Sequence, residues 1–289
     1  MLDQASKLRE LANESNKIKK DKSLSTKIIT VTSGKGGVGK SNIVVNLAIC
    51  LQKMGKKVLI FDADIGMGND DILMGCFPKY NIFDIIFNEK DITEIIVEGP
   101  LGVNLISGGS GLGRMDDLTD IQRQKFLKNL EGLRGYDYIL MDTGAGINKS
   151  VLSFISCSDD FIVVTTPEPT SLTDAYSLIK AVRHFNIKDN GNIIVNRVLD
   201  NIEGENTFLK LQGAAERFLD VKLNFLGKLS EDSKLLKSVR AQKPVYIGYP
   251  NSYISKDIDN IAMKMEGLLI KENNSGIQKF FKKIFNIIS

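Results

Sequence analysis

The chain has 289 residues, of which 43% are hydrophobic and 25% are charged, and its formal net charge is +3. This balance is ordinary for a globular protein, and the length suits one large domain or two small ones. A charge of +3 does not by itself indicate nucleic-acid binding, and the single histidine, His184, leaves little material for histidine-based catalysis. No signal peptide is visible and no apolar run approaches about 18 residues, so we expect a cytoplasmic protein.

The cysteines exclude two further classes of protein. Cys50, Cys76 and Cys157 are odd in number, lie far apart and form no C-x-x-C pair. Neither a disulfide framework nor a zinc site is therefore indicated. Cys50 falls within the apolar pattern of the first predicted helix of the main domain, so we expect it in the core.

An N-terminal arm, residues 1–26, precedes the first predicted strand. Apolar residues recur at helical spacing and predict a short amphipathic helix: Leu2, Ala5, Leu8, Leu11 and Ala12. A polar, lysine-rich stretch over 16–26 then indicates a linker. The helix is either a cap that packs on the domain or a segment that binds a partner.

Residues 31–41, VTSGKGGVGKS, fit the phosphate-binding pattern G-x-x-x-x-G-K-[ST]. The pattern needs a strand before it and a helix after it. Residues 27–32 form an apolar run typical of a buried strand, and residues 42–54 have helical periodicity. The alternative, a glycine-rich turn that binds nothing, does not explain this order of elements.

The chemistry explains the spacing of the loop. Backbone N–H groups meet the phosphates of a nucleotide, and glycines allow the backbone to come close. Lys40 is expected to reach the β- and γ-phosphates, and Ser41 to offer its hydroxyl to Mg²⁺. The predicted nucleotide-binding residues of the loop are Gly34, Lys35, Gly36, Gly37, Val38, Gly39, Lys40, Ser41 and Asn42.

A second lysine, Lys35, directly follows the first glycine of the loop. The pattern KGG-x-GK-[ST] resembles the deviant phosphate-binding loop of the MinD/ParA family of dimerising ATPases. The resemblance implies that Lys35 reaches across a homodimer interface to the phosphates held by the partner subunit. ATP binding would then control dimerisation. Lys35, Lys40 and Asp64 are the residues to which the resemblance assigns catalysis.

Two aspartates, Asp62 and Asp64, follow the predicted strand over 57–61. Acidic residues at the carboxyl end of a buried strand lie beside the phosphate site of an open α/β sheet. Helix capping is the structural alternative, but two carboxylates at this spacing, with glycines after them, better suit metal and water chemistry. The run D-x-D-x-G-x-x-N resembles the family's switch I. The resemblance implies that Asp64 orients the attacking water and that Asp62 supports the Mg²⁺ shell.

Another apolar strand, over 136–142, ends in Asp142, which would hold Mg²⁺ through water. Residues 143–147 follow and resemble the family's switch II, in which backbone amides sense the γ-phosphate. Gly144 stands where the family often has proline. The predicted metal-site residues are thus Ser41, Asp62 and Asp142.

Further strands are predicted over 103–106, 161–166, 192–197 and 223–227, and they alternate with helices. This alternation predicts a single α/β domain over 27–271, with a mostly parallel twisted sheet covered by helices on both faces, as in P-loop NTPases. The glycine-rich stretch over 107–113 suggests a mobile loop near the dimer face. The apolar segment within 70–91 is expected to be mostly core, with interface surface as the alternative.

The strand over 192–197 ends in Asn196 and Arg197. The resemblance implies that an asparagine at this strand end meets the adenine ring, with Arg197 beside it. An ordinary turn asparagine is the alternative.

A polar linker over 272–276 leads to an amphipathic tail, residues 277–289. At about 100° per residue, its apolar side chains fall within roughly 160° of one face, and lysines lie opposite. This composition is typical of an interfacial helix on an anionic membrane. The alternative is a last helix that docks on the domain's own core, and the linker argues against it. One tail would bind weakly, whereas two tails on a dimer gain about 10²–10⁴ in affinity.

The start of the arm, Asp3–Arg9, resembles the DQA-x-x-LR element of the flagellar-number regulators of the FlhG, FleN and YlxH type. The resemblance implies a partner GTPase of the signal-recognition type, with flagellar switch components as further partners. The resemblance also implies an ATPase that uses ATP, ADP and Mg²⁺. We expect it to be cytoplasmic and reversibly peripheral at the cytoplasmic membrane, and we expect no nucleic-acid binding. The alternatives are a division-site ATPase, a DNA-partitioning ATPase and an iron–sulfur carrier, of which the last lacks converging cysteines.

Overall fold

A computed structural model describes residues 26–64, 68–109, 118–133, 135–268 and 276–288. The N-terminal arm with its Asp3–Arg9 element therefore lies outside the described residues. So do the polar linker over 272–275 and most of the glycine-rich stretch that was predicted as a loop.

The described residues form one sheet of eight strands in the order β3-β4-β2-β5-β1-β6-β7-β8. Every neighbouring pair is parallel except β3 and β4, which are antiparallel. This confirms the predicted mostly parallel α/β sheet. The strands are β1 (Lys27–Ser33), β2 (Val58–Ala63), β3 (Ile96–Glu98), β4 (Asn104–Ser107), β5 (Tyr138–Ala145), β6 (Asp160–Thr165), β7 (Asn190–Val198) and β8 (Lys222–Ser230).

Helices connect the strands and cover both faces of the sheet. In chain order they are α1 (Lys40–Lys53), α2 (Asp70–Met74), α3 (Asp84–Phe87), α4 (Ile92–Ile95), α5 (Asp120–Asn129), α6 (Lys149–Cys157), α7 (Pro169–His184), α8 (Asn201–Leu219), α9 (Ser233–Arg240), α10 (Val245–Gly248), α11 (Tyr253–Leu268) and α12 (Gly276–Ile288). Short 3₁₀ turns lie at Pro100–Gly102 and Leu130–Gly132. No helix among these described ranges is both long and apolar enough to cross a bilayer.

The core is divided by the sheet, because successive strand residues point to opposite faces. Ile29 of β1 packs with α1 and α11 on one face, whereas its neighbour Ile28 packs with α5, α6 and α12 on the other. Helices α7 and α8 continue the second face over β6 and β7. The central strands β1 and β2 are buried along their whole length, which explains why they lack the alternation of apolar and polar residues seen in half-exposed strands.

The segment over 70–91 is mostly core, as predicted: Met74, Ile82, Phe83, Ile85 and Ile86 are buried. Ile72, Phe77 and Phe87 are the exceptions, with 48%, 79% and 54% of their surface exposed. The last strand, β8, is longer than the five residues expected for it.

The C-terminal helix α12 corrects one interpretation. It docks on the domain's own core, in contact with α5, α6 and β1, contrary to the expectation from the polar linker. Phe280 and Phe281 are fully buried, and the Phe281 ring lies 5.4 Å from Phe61 of β2. So short a helix is marginal in water alone, and the second face of the sheet offers an apolar surface for it. A polar linker therefore does not prevent α12 from docking on the core.

Candidate nucleotide-binding site

The P-loop, residues 34–39, joins β1 to α1 at the carboxyl edge of the sheet. Gly34 cannot be replaced without movement, because a Cβ built there would lie 2.2 Å from backbone atoms of Asp174 in α7. Gly39 precedes α1 with φ +93°, a left-handed conformation that favours glycine. Two glycines of the pattern are therefore required by packing and by backbone conformation.

A cavity of about 670 Å³ opens beside the loop. Residues 36–42 line it together with Asp64, residues 143–145 and Arg197. The predicted P-loop, switch I and switch II segments thus meet around one space. This volume lies within the range of about 300–1,000 Å³ that is usual for small-molecule sites.

The two lysines of the loop have different environments. Lys40 is buried, and its ammonium lies 3.1 Å from the carboxylate of Asp142. Lys35 does not line the cavity. Its ammonium donates to Glu168 at 2.9 Å and to Thr170 at 3.0 Å on the surface, where 35% of the Lys35 side chain remains exposed.

Asp62 and Asp142 lie side by side as register partners on the adjacent parallel strands β2 and β5. Burial raises the pKa of Asp62 to about 7, and the Asp142 carboxylate adds to the rise. Burial also raises the pKa of Asp142, while the Lys40 ammonium and the Ser41 hydroxyl oppose the increase. Two buried carboxylates beside one ammonium produce an electronegative edge that favours a cation.

Residues 26–195 match the protein family described as an AAA domain. The antiactivator FleN of Pseudomonas aeruginosa is 35% identical over 88% of this chain and 91% of its own length. The flagellum site-determining protein YlxH of Helicobacter pylori is 38% identical over the full length of both chains. The chain belongs to the MinD/ParA-type ATPases that regulate flagellar number.

A solved structure of a MinC:MinD cell division complex from Aquifex aeolicus agrees with this assignment. Its matching chain superposes with a TM-score of 0.67 at 27% identity, over 86% of this chain and 99% of that one. The fold and the family are therefore those expected from the P-loop with two lysines, and the protein is an ATPase.

Asp64, in the segment that resembles the switch I of MinD/ParA-type ATPases, lines the cavity. Its carboxylate lies close to switch II, because a Cβ built on Gly144 would be 3.1 Å from an Asp64 oxygen. Glycine at this position therefore leaves room for Asp64. Asp62 lies behind it, and its carboxylate accepts from the backbone N–H of Asp64 at 3.1 Å.

Asn196 and Arg197, the two residues predicted to lie near the adenine ring, have different positions relative to the cavity. Asn196 is buried and its side-chain amide donates to the backbone carbonyl of Val38 at 2.7 Å, so it supports the P-loop from beneath. It is not among the residues that line the cavity, whereas Arg197 is. Arg197 also donates to the Gly37 carbonyl at 2.8 Å and has a left-handed backbone, φ +57°.

The described residues contain no group of three histidine, cysteine or acidic side chains that could chelate a metal alone. A cation at the acidic edge would therefore need phosphate oxygens and water as further ligands. Cys50 and Cys157 are buried in separate core clusters on opposite faces of the sheet, so the two cannot bind one iron–sulfur cluster within a subunit.

Among the residues near the site that the sequence analysis missed, three have contacts that bear on function. Glu168 holds Lys35 on the surface, and Phe154 of α6 lines the cavity. Asp70, at the start of α2, is completely buried beside the carboxylates of Asp62 and Asp142. Its position next to the predicted switch I run was a signal for Asp70, whereas no local pattern distinguished Phe154 or Glu168.

Proposed function

We propose that this ATPase dimerises when it binds ATP, associates with the membrane as a dimer, and thereby controls the number and placement of flagella. One observation carries the proposal. Lys35 belongs to the P-loop, yet its side chain lies outside the cavity that the loop forms. A lysine in this position is free of its own nucleotide site and is suited to the site of a second subunit.

The contacts of Lys35 allow this movement. Its partners Glu168 and Thr170 form exposed hydrogen bonds, and exposed ion pairs contribute little to stability. The triphosphate of a neighbouring subunit presents more negative charge than a single carboxylate. Lys35 is therefore expected to exchange Glu168 for those phosphates when two ATP-loaded subunits meet.

Within each subunit, the proposed roles follow the geometry of the cavity. Lys40 leaves Asp142 to bind the β- and γ-phosphates, and Asp64 orients a water against the γ-phosphate. Ser41, Asp142 and Asp62 hold Mg²⁺, which when bound neutralises charge on the phosphates. Backbone amides of residues 143–147 sense the γ-phosphate, and Arg197 with Asn196 supports the nucleotide side of the loop.

The docked tail makes membrane association conditional. The apolar face of α12 that would enter an anionic membrane is the face that packs on the core, with Phe280 and Phe281 fully buried. The Phe280 ring lies 5.9 Å from Phe154, which also lines the nucleotide cavity. We therefore expect changes at the cavity to alter the packing of the tail through Phe154. Once released, two tails on one dimer bind far more tightly than one.

The arm supplies the proposed link to a partner. The Asp3–Arg9 element lies outside the described residues, so this part rests on the resemblance alone. We expect it to contact a GTPase of the signal-recognition type, with flagellar switch components as further partners. A pull-down with that GTPase, comparing Gln4→Ala with the unchanged chain, tests the contact; equal recovery of both would contradict it.

Co-sedimentation with vesicles that contain anionic lipid tests the proposal as a whole. The protein should sediment with a non-hydrolysable ATP analogue and remain in the supernatant with ADP. Lys35→Ala should remain in the supernatant with either nucleotide while still binding ADP. Equal sedimentation of the unchanged protein with both nucleotides would contradict the proposal.

A further inference from the structure

Asp70 is a buried carboxylate without an evident structural role. It is the first residue of α2, and its exposed surface is 0%. Neither carboxylate oxygen has a hydrogen-bond partner among the residues that the structure describes. A buried polar group without a partner is costly, and an aliphatic side chain would fill the same space at lower cost. The carboxylate therefore requires an explanation.

The neighbours of Asp70 identify its surroundings. Its charged neighbours are the carboxylates of Asp62, Asp142 and Asp71 and the ammonium of Lys40. The backbone N–H of Asp70 approaches the Asp62 carboxylate at 3.5 Å, which ties the start of α2 to the end of β2. Asp70 therefore lies beside Asp62 and Asp142, the two carboxylates that are proposed to bind the cation.

The charges at this edge are not balanced. Lys40 is the ammonium among these neighbours, and it already lies 3.1 Å from Asp142. Asp62 and Asp70 have no comparable cationic partner among the described residues. Neighbouring carboxylates repel one another when they are ionised. A cation at this edge would relieve the repulsion.

The kind of cation follows from the ligands. Carboxylate oxygens favour hard divalent ions, and Mg²⁺ usually keeps several of its waters. Since no three described side chains can chelate an ion alone, Asp70 would act through such a water. Outer-shell groups of this kind orient the ligands of a metal, and their loss typically lowers metal affinity by about 10–100-fold.

We propose that Asp70 is an outer-shell residue of the divalent-cation site, where it accepts a hydrogen bond from a water bound to the ion. This inference rests on the proposed function, because it assumes the cation site at Ser41, Asp62 and Asp142. It adds a buried third carboxylate to that site. It also explains why an acidic residue stands at a fully enclosed position.

Mn²⁺ binding, followed by electron paramagnetic resonance in the presence of saturating ADP, measures the effect directly. Asp70→Asn keeps the shape of the side chain and removes its charge, so Mn²⁺ affinity should fall by about 10-fold or more. Asp71→Asn is the matched control, since it makes the same change one residue away on a partly exposed side chain whose carboxylate accepts from the N–H of Ile72. Its Mn²⁺ affinity should stay within about twofold of the unchanged protein.

Asp70→Leu provides a second variant should Asp70→Asn fail to fold. Its melting temperature in EDTA should rise by about 2 °C or more, because an enclosed carboxylate is replaced by an apolar group. The rise in melting temperature on adding Mg²⁺ and ADP should become smaller than in the unchanged protein. A structural role alone would instead lower the melting temperature equally with and without the metal, and that result would overturn the proposal.

Asp142→Asn distinguishes a failure of the role of Asp70 from a failure of the proposed cation site. If Asp142→Asn weakens Mn²⁺ binding while both Asp70 variants retain affinity within about twofold, the role of Asp70 is wrong and the cation site stands. If Asp142→Asn also leaves the affinity unchanged, the proposed cation site is wrong, and the role of Asp70 fails with it.

Discussion

The P-loop and the C-terminal helix α12 are both short segments with strong sequence patterns, yet their structures depend on the rest of the chain to different degrees. The pattern of the P-loop matches its backbone, since Gly34 packs against α7 and Gly39 is left-handed. The pattern of α12 describes only an apolar face and a polar face. The surface that covers the apolar face is formed by other parts of the chain, including β2, α5 and α6.

This difference matters for function. The loop has one structure that suits one class of ligand. Under the proposed function, the tail would exchange the core of its own domain for a membrane surface, and the same rings would contact either one. Membrane binding would therefore compete with a packed interface in which Phe126 lies edge-on to Phe281 at 5.0 Å. We therefore expect the loop to tolerate little change and substitutions in the tail to shift it between the core and the membrane.

The largest expected effect concerns the docked tail. Phe281→Ala should lower the free energy of unfolding by about 3–5 kcal/mol, because it removes a fully buried ring from the core. Chemical denaturation followed by circular dichroism measures it. Phe77→Ala, on a side chain that is 79% exposed, is the control and should change stability by less than about 0.5 kcal/mol. Equal stability of the two variants would show that α12 does not belong to the core.

Asp64→Ala should affect the loop side of the comparison without disturbing the fold. Loss of the group that positions water should lower kcat for ATP hydrolysis by about 100-fold, with ATP binding retained. Phosphate release measures the rate, and ATP-loaded dimers should accumulate. Hydrolysis at the normal rate would contradict the role of Asp64.

Lys35→Ala should weaken the dimer formed with a non-hydrolysable ATP analogue by about 10–100-fold, as expected when a hydrogen bond to a charged group is lost. Sedimentation equilibrium measures the change in the dimer dissociation constant. Glu168→Gln is an informative companion, because it loosens the surface contact of Lys35 and should strengthen dimerisation or leave it unchanged. A dimer of normal strength in Lys35→Ala would rule out the contact across the interface.

Lys282→Ala should have the smallest effect and should separate the two environments of the tail. Lys282 is exposed in the docked helix, so stability should change by less than about 0.5 kcal/mol. Binding of the ATP-loaded dimer to anionic vesicles should nevertheless weaken by about 1 kcal/mol for each tail. Vesicle flotation at several lipid concentrations measures the change in affinity, and unchanged binding would show that Lys282 does not contribute to membrane binding.

Much of the fold and of the site was predictable from local patterns. Buried strands that end in Asp62 and Asp142 placed both carboxylates at the carboxyl edge of a parallel sheet, where they are register partners. The P-loop and its two lysines were recognisable because phosphate binding constrains consecutive residues.

What was not predictable depends on contacts between distant segments. The direction of the Asn196 side chain is set by the P-loop carbonyl of Val38, which lies 158 residues earlier in the chain. Docking of α12 is set by the surface that β2, α5 and α6 leave open. The burial of Asp70 follows from the packing of α2 behind the site. The spacing of residues in the sequence indicates none of these contacts, although Asp70 does lie next to the predicted switch I run.

Light scattering on the full chain, with vesicles absent, tests the central claim most directly. With ADP the molar mass should be that of one chain, 32.0 kDa. With a non-hydrolysable ATP analogue it should double, and Lys35→Ala, whose dimer is weaker, should stay close to the single-chain mass at the same protein concentration. A single-chain mass for the unchanged protein with the analogue would contradict ATP-driven dimerisation and the membrane switch that depends on it.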